Sequence, residues 1–309
     1  FSSRRRHTRF RNVTGVQTCA LPIYGNTTGN SNTAIGHTAL TSNTTASNNT
    51  AVGYQAGYSK STGNAVTAFG YAAGYSYTAS GENWLSTFLG YQAGYATSSG
   101  VDNTFVGGFA GTATTTGTAN TAMGGGALTA NTTGANNTAI GTTALRYNTT
   151  ASNNTAVGYQ AGYSNTTGAN ITAFGYQAAY SAVTGYVTAF GFRAGYSSTG
   201  ANDLTAIGDR AAFNNTTGYG NTAVGVVALT SNTTGSYNTA MGLFALNANT
   251  TASNNTAVGY QAGYTNQTGN YNTFVGYQAG YTSNVNGDAR NTCIGYYAGY
   301  GLDRKSTRL

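Results

Sequence analysis

Five carboxylates stand in the central part of the chain: Glu82, Asp102, Asp203, Asp209 and Asp288. A pair of carboxylates cleaves a glycosidic bond only when the two stand within about 10 Å of each other. A recurrence of 17 residues puts Asp102 and Asp203 in the same phase, but six units apart. At the spacing of paired strands that is about 29 Å. His37 is the only His outside the first residues, and no second His, Cys or acid stands at ligand spacing from it. Its column elsewhere holds Tyr, Thr and Asp, which points to a surface position. A calcium-binding solenoid needs an Asp in every unit, and there is no Asp column. The chain is therefore read as a non-enzyme with no catalytic residues, no metal site and no cofactor.

The residues with more to offer are the tyrosines. One column carries Tyr54, Tyr71, Tyr91, Tyr159, Tyr176, Tyr260, Tyr277 and Tyr296. A Tyr ring combines a large apolar area with a polar tip, so such a column can contact sugars or protein ligands, or can stack on itself and stiffen a rod. Gln55, Gln92, Gln160, Gln177, Gln261 and Gln278 follow these tyrosines and suggest an amide ladder beside them. A second candidate contact is the only Trp, Trp84, with Glu82 and Asn83, in an insertion of three residues within 76–86. Insertions in solenoids often lie on a functional face. A further insertion spans 284–290.

The element that must position these residues is the repeat. A Gly recurs after Thr-Ala-(Val/Ile/Phe/Met) from Gly36 through Gly53 and Gly70 to Gly295, in 16 units. Most steps are 17 residues; the exceptions are 20 (Gly70 to Gly90), 16 (Gly175 to Gly191) and 19 (Gly276 to Gly295). Regularity of this kind specifies one coil stacked many times. The expected fold is all-β, a parallel β-solenoid or β-roll of about 16 coils over residues 24–302.

With the Gly numbered zero, Thr at −3, Gly at zero and Ala at +3 never vary. Position −1 is always aliphatic, Phe or Met, and −2 is Ala except at Phe88, Phe105, Phe274 and Cys293. The run from −4 to −1 fits a short strand ended by a tight bend. The fixed Gly marks a backbone turn or a close approach. The −2 column is open to two readings, inward or lateral contact. The invariant Thr, in phase with the apolar −1 column, is expected to face inward or sideways. At +4 and +5, Leu-polar alternates with Gly-Tyr, as in Leu40-Thr41 and Gly57-Tyr58. This exchange predicts one apolar corner slot that either side chain fills. The Asn and Thr of the remaining stretch are turn residues that stacking would line into ladders.

Two segments break the pattern. Ser2 to Arg9 and Val13 to Ile23 read as translated sequencing-library adapter, and so does Asp303 to Leu309. Residues 1–23 and 303–309 are accordingly expected to be non-native. They carry eight of the 13 Lys and Arg, so the formal charge of +7 is theirs, and the repeat has five residues of each sign. A neutral repeat gives no reason to expect nucleic acid as a partner. Cys293 is the one Cys in the repeat and has no partner for a disulfide. No apolar run reaches membrane-spanning length. The remainder reads as an internal piece of a longer protein, with any membrane contact made through domains outside it.

The run Asn-Thr-Ala-Val-Gly-Tyr-Gln-Ala-Gly-Tyr at 49–58, 154–163 and 255–264 resembles the head repeats of YadA-like trimeric autotransporter adhesins. It is also similar to repeats of phage-type tail fibres that end in a self-cleaving chaperone domain. The resemblance covers roughly residues 25–301. It implies a left-handed β-roll, a homotrimer, and an extracellular place on a cell surface or virion. It differs in period, 17 residues against about 14 to 15. The function expected is a fibrous structural or adhesive domain that meets a host-surface protein or glycan through many weak contacts. The alternative is an ice-binding solenoid built on the Thr column. The single invariant Thr counts against that alternative, because Thr-x-Thr pairs pointing outward are its usual requirement.

Overall fold

A computed structural model describes residues 23–301 except 63–64, 80–84, 201–202 and 284–286, together with the side chains of 287 and 288. Sixteen strands of three or four residues, from Thr33–Ile35 to Thr292–Ile294, form one parallel sheet in strict chain order. The described residues contain no helix. Each strand pairs with the strand of the next coil, Thr on Thr and −2 residue on −2 residue, as in Thr138↔Thr155 and Ala139↔Ala156. The irregular steps leave this register intact: Thr67 pairs with Thr87, Thr172 with Thr188 and Thr273 with Thr292. The chain is a β-solenoid with a 17-residue rung, and the extra or missing residues are taken up outside the strand. Rung 1 carries Gly36 and rung 16 carries Gly295. A two-stranded pair, Gly269–Asn270 with Gly287–Asp288, flanks the last rungs.

The invariant Gly answers two constraints. Its φ lies between 127° and 139° at every rung, a region closed to residues with a Cβ. A Cβ on Gly107 would also fall 2.7 Å from the carbonyl carbon of Gly124 in the next rung. Further corners are left-handed, +2 and +4 in every rung and −5 in most, with Gln55 at 54°, Leu40 at 48° and Asn153 at 63°. The Asn and Asp frequent at −5 tolerate that conformation.

Strand alternation then decides what is inside. The −2 residues face the core: Ala51, Ala139, Phe88, Phe105 and Phe274 are fully buried. The column is therefore closed to lateral contact. The −3 Thr and the −1 aliphatic residues both point outward, where the Thr was expected to face inward or sideways. Two residues apart on a strand, they must share a face, and the face is the outer one.

The corner slot shared by +4 and +5 is also corrected. Leu40, Leu128, Leu145, Leu229 and Leu246 at +4 are fully buried, whereas the +5 tyrosines lie half-exposed on the outside. The left-handed bend at +4 sends the two positions to opposite sides. Where +4 is Gly, the core volume comes from other places. Phe88 fills the space at Gly74, where a Cβ would fall 2.6 Å from its ring, and Phe274 does so at Gly263. Elsewhere the Leu of an adjacent rung leans over, as Leu145 does at Gly162.

The Asn residues placed in turns by the sequence line the interior instead. At −4, Asn103, Asn120, Asn137 and Asn154 are fully buried, as are Asn131, Asn148 and Asn165 at +7. Each −4 side-chain oxygen accepts the backbone N–H of the residue one rung on, as from Asn137 N to Asn120 Oδ1 at 3.0 Å. In several rungs its Nδ2 donates to the +10 carbonyl of the same rung, as from Asn120 to Gly134 at 2.9 Å. The +7 amides donate to the same row of carbonyls and to one another, as from Asn148 Nδ2 to Asn131 Oδ1 at 2.9 Å. Buried amides are tolerated where they find identical partners in the rungs next to them; the side-chain oxygens of Asn43, Asn249 and Asn266 find none.

A longer period overlies the rung. The three irregular steps fall between rungs 3 and 4, 9 and 10, and 15 and 16. The stretch Ala46–Tyr58 recurs unchanged as Ala151–Tyr163 and Ala252–Tyr264, at rungs 2, 8 and 14. The solenoid is thus a stack of six-rung cassettes.

Candidate functional site

The +1 residue follows the Gly bend, and the +5 residue follows the left-handed +4 corner. Both stand outside, and stacking brings each into line with its counterparts. Tyr54, Tyr71 and Tyr91 stack at 5.1 and 5.0 Å between ring centroids, nearly parallel, with His37 continuing the pile at 5.3 Å from Tyr54. Tyr159, Tyr176 and Phe192 form a second pile, and Tyr260, Tyr277 and Tyr296 a third. All the +1 tyrosines read from the sequence thus lie in three groups, one per cassette. Within a pile each ring covers its neighbour's face, so edges and hydroxyls meet the solvent. Faces are free only at the ends. Of the Gln residues beside them, Gln177 donates to Gln160 at 2.7 Å and Gln278 to Gln261 at 2.6 Å, two pairs where a longer ladder was expected. Trp84, Glu82 and Asn83 lie outside the described residues.

The +5 column joins this surface, a role missed in the sequence because Tyr was assigned to a corner slot. Tyr58, Tyr75 and Tyr95 stack, as do Tyr163, Tyr180, Tyr196 and Phe213, and Tyr264, Tyr281 and Tyr300. An inner ring of each pile, Tyr75, Tyr180 or Tyr281, has its phenol pushed above the ordinary range, first by burial between its neighbours and then by nearby phenols. Those phenols include Tyr54, Tyr159 and Tyr260 of the +1 column, so the two columns share one side of the rod. The missed signal was the cassette itself, since both columns carry Tyr on rungs 2 to 4, 8 to 9 and 14 to 16.

The remaining polar residues do not converge. Asp209 pairs with Arg210 at 3.0 Å, the only ion pair among the described residues. Asp102 accepts from Leu85 N at 3.3 Å. No group of three His, Cys, Asp or Glu able to hold a metal occurs among the described residues. Cys293 is a buried free thiol, and burial raises its pKa. Lys60 is a surprise. It occupies the +7 column, is fully buried, donates to the Ala79 carbonyl at 2.5 Å, and holds its ammonium 4.6 Å from the Tyr77 ring. Burial pulls its pKa down to about 8.

Between the first two Tyr piles the +1 column empties to Gly108, Gly125 and Thr142. The empty stretch is a cavity of about 450 Å³, also bordered by Phe109 and Arg146. No family model matches the chain, and no curated protein or solved structure matches it.

Proposed function

We propose that this chain is part of an extracellular fibrous protein, an adhesin head or tail-fibre shaft on a cell surface or virion, which works as a rod presenting many weak contacts. The observation that carries the reading is the outer face of the sheet. Its −1 column is an unbroken line of aliphatic and aromatic side chains, with Ile35 61% exposed, Phe69 52% and Ile140 37%. The −3 column beside it is all Thr, so the face carries no charge. A continuous uncharged apolar stripe the length of a rod is a surface that soluble proteins cover. Three copies related along the rod would cover it, which agrees with the trimer implied by the adhesin resemblance. The Tyr piles are then left to meet a host-surface protein or glycan. Sedimentation of the chain tests the assembly: a trimer is expected, Ile207→Lys is expected to weaken it, and a stable monomer would sink it.

The outward Thr column favours a second reading, ice binding, more than the sequence did. Threonines paired in register from rung to rung form a repeating hydroxyl and methyl array. Thermal hysteresis of the purified chain separates the two readings, since an adhesive rod produces none.

A further inference from the structure

The cavity at Gly108 and Gly125 is not demanded by the fold. Neither glycine has a left-handed φ, and a Cβ on either would have nothing within 4 Å. Each differs in this from its neighbour, Gly107 or Gly124, which the fold does require to be glycine. The matching positions one cassette on are Asp209 and Val226, with Leu243 matching Thr142, and the backbone there has the same register. The scaffold therefore accepts large side chains at these places, yet here they are missing on consecutive rungs.

What surrounds the gap has a definite chemistry. Its floor is backbone. One side is Phe109, whose ring sits edge-on to Tyr91 at 5.1 Å and is 46% exposed. Beyond Thr142 the column resumes at Tyr159, which among the described residues stacks only on Tyr176, leaving the face toward the gap without a ring. Arg146 reaches over the floor, with Nη1 3.8 Å from where a Gly126 Cβ would stand. It has no carboxylate partner among the described residues and lies 5.8 Å from the Tyr147 ring. Hydroxyls come from Thr142 and Thr143.

We infer that this notch is a binding site for one carboxylate-bearing sugar ring of a glycan. An aromatic ring receives the C–H face of a pyranose, Thr hydroxyls match its hydroxyls, and the guanidinium fork matches a carboxylate. The volume suits a ligand of one or two rings. This names a ligand class for the adhesive reading and to that extent rests on it.

The test is calorimetric titration of the chain with 3′-sialyllactose and with a hyaluronan tetrasaccharide, against lactose and chitotetraose as neutral probes. At least one acidic saccharide is expected to bind, with the neutral probes at least about ten-fold weaker. Gly125→Val, which copies Val226, and Arg146→Gln are each expected to lower that affinity about ten-fold or more without lowering the melting temperature. The assignment is overturned if neither acidic probe binds at about 10 mM, if the neutral probes bind as well, or if Gly125→Val leaves binding unchanged. Sedimentation of the same samples keeps the two ideas apart: a trimer that binds no saccharide sinks the ligand alone, and a monomer that binds it sinks the trimer alone.

Discussion

Rungs 5 to 7 and rungs 11 to 13 occupy equivalent places in successive cassettes, share a backbone, and differ in what they carry outside. The first set has Gly108, Gly125 and Thr142 at +1; the second has Asp209, Val226 and Leu243. Both keep the Gly of the bend at a φ near 130° and both keep Thr on Thr across the sheet. In this fold the inside of a rung is set by its neighbours above and below. The outside is free to vary from one block to the next. Gly124 and Gly125 show the division between adjacent residues: one is fixed by backbone geometry, the other by nothing within the fold.

The strongest way to break the comparison is at that pair. Gly124→Ala is expected to destabilise the rod by about 3 kcal/mol or more, through a disallowed φ and a clash with the next rung. Gly125→Ala is expected to stabilise it by about 0.5 kcal/mol, since it only restricts the unfolded chain. Chemical denaturation of the two variants, with equal slopes, checks both signs.

A smaller effect is expected inside. Lys60 stands where the later cassettes have Asn165 and Asn266, and the Asn43 side-chain oxygen below it has no partner. Lys60→Asn would extend the ladder and remove a buried charge, a gain on the order of 1–2 kcal/mol at neutral pH. Because folding lowers the Lys60 pKa from 10.5 to about 8, the folded state sheds a proton that the unfolded state keeps between those values. Stability from this group therefore rises with pH across that window. The advantage of Lys60→Asn is expected to be greatest below pH 8 and to fall to the ladder's share alone above 10.5, which thermal melts over a pH series would show.

Smaller again is the alkaline response of the Tyr piles. The raised phenols of Tyr75, Tyr180 and Tyr281 add stability that is complete below pH 10 and is lost as pH climbs through their folded values. Tyr297, pushed up to about 12 by burial and by its bond to Tyr296, is expected to ionise last. Ultraviolet titration of the phenols against unfolded chain measures the order. Replacing Tyr180 with Phe is expected to flatten the middle cassette's share while leaving the others.

The stacking axis, the strand and the reason for the invariant Gly were legible in the residues, because each answers to a single repeated column. The misreadings share a cause. The Asn ladders were expected, but in turns; Asn120 and Asn148 line the interior instead, because an amide repeated at rung spacing carries its own partners inside. Tyr58 was sent inward because its exchange with Leu40 looked like volume conservation, but the left-handed +4 corner separates the two positions. The notch escaped notice because Gly108 and Gly125 look like the fixed glycines beside them, and only the geometry of a missing Cβ tells them apart. The cassette is written in the positions of the three irregular steps, which fall six rungs apart.

That cassette makes the molecule divisible. Excising the segment from one Gly-Tyr to its counterpart, Gly53 to Gly158 or Gly158 to Gly259, removes six layers and joins surfaces that already match. Length can therefore grow or shrink in quanta of about 29 Å without any join having to be invented.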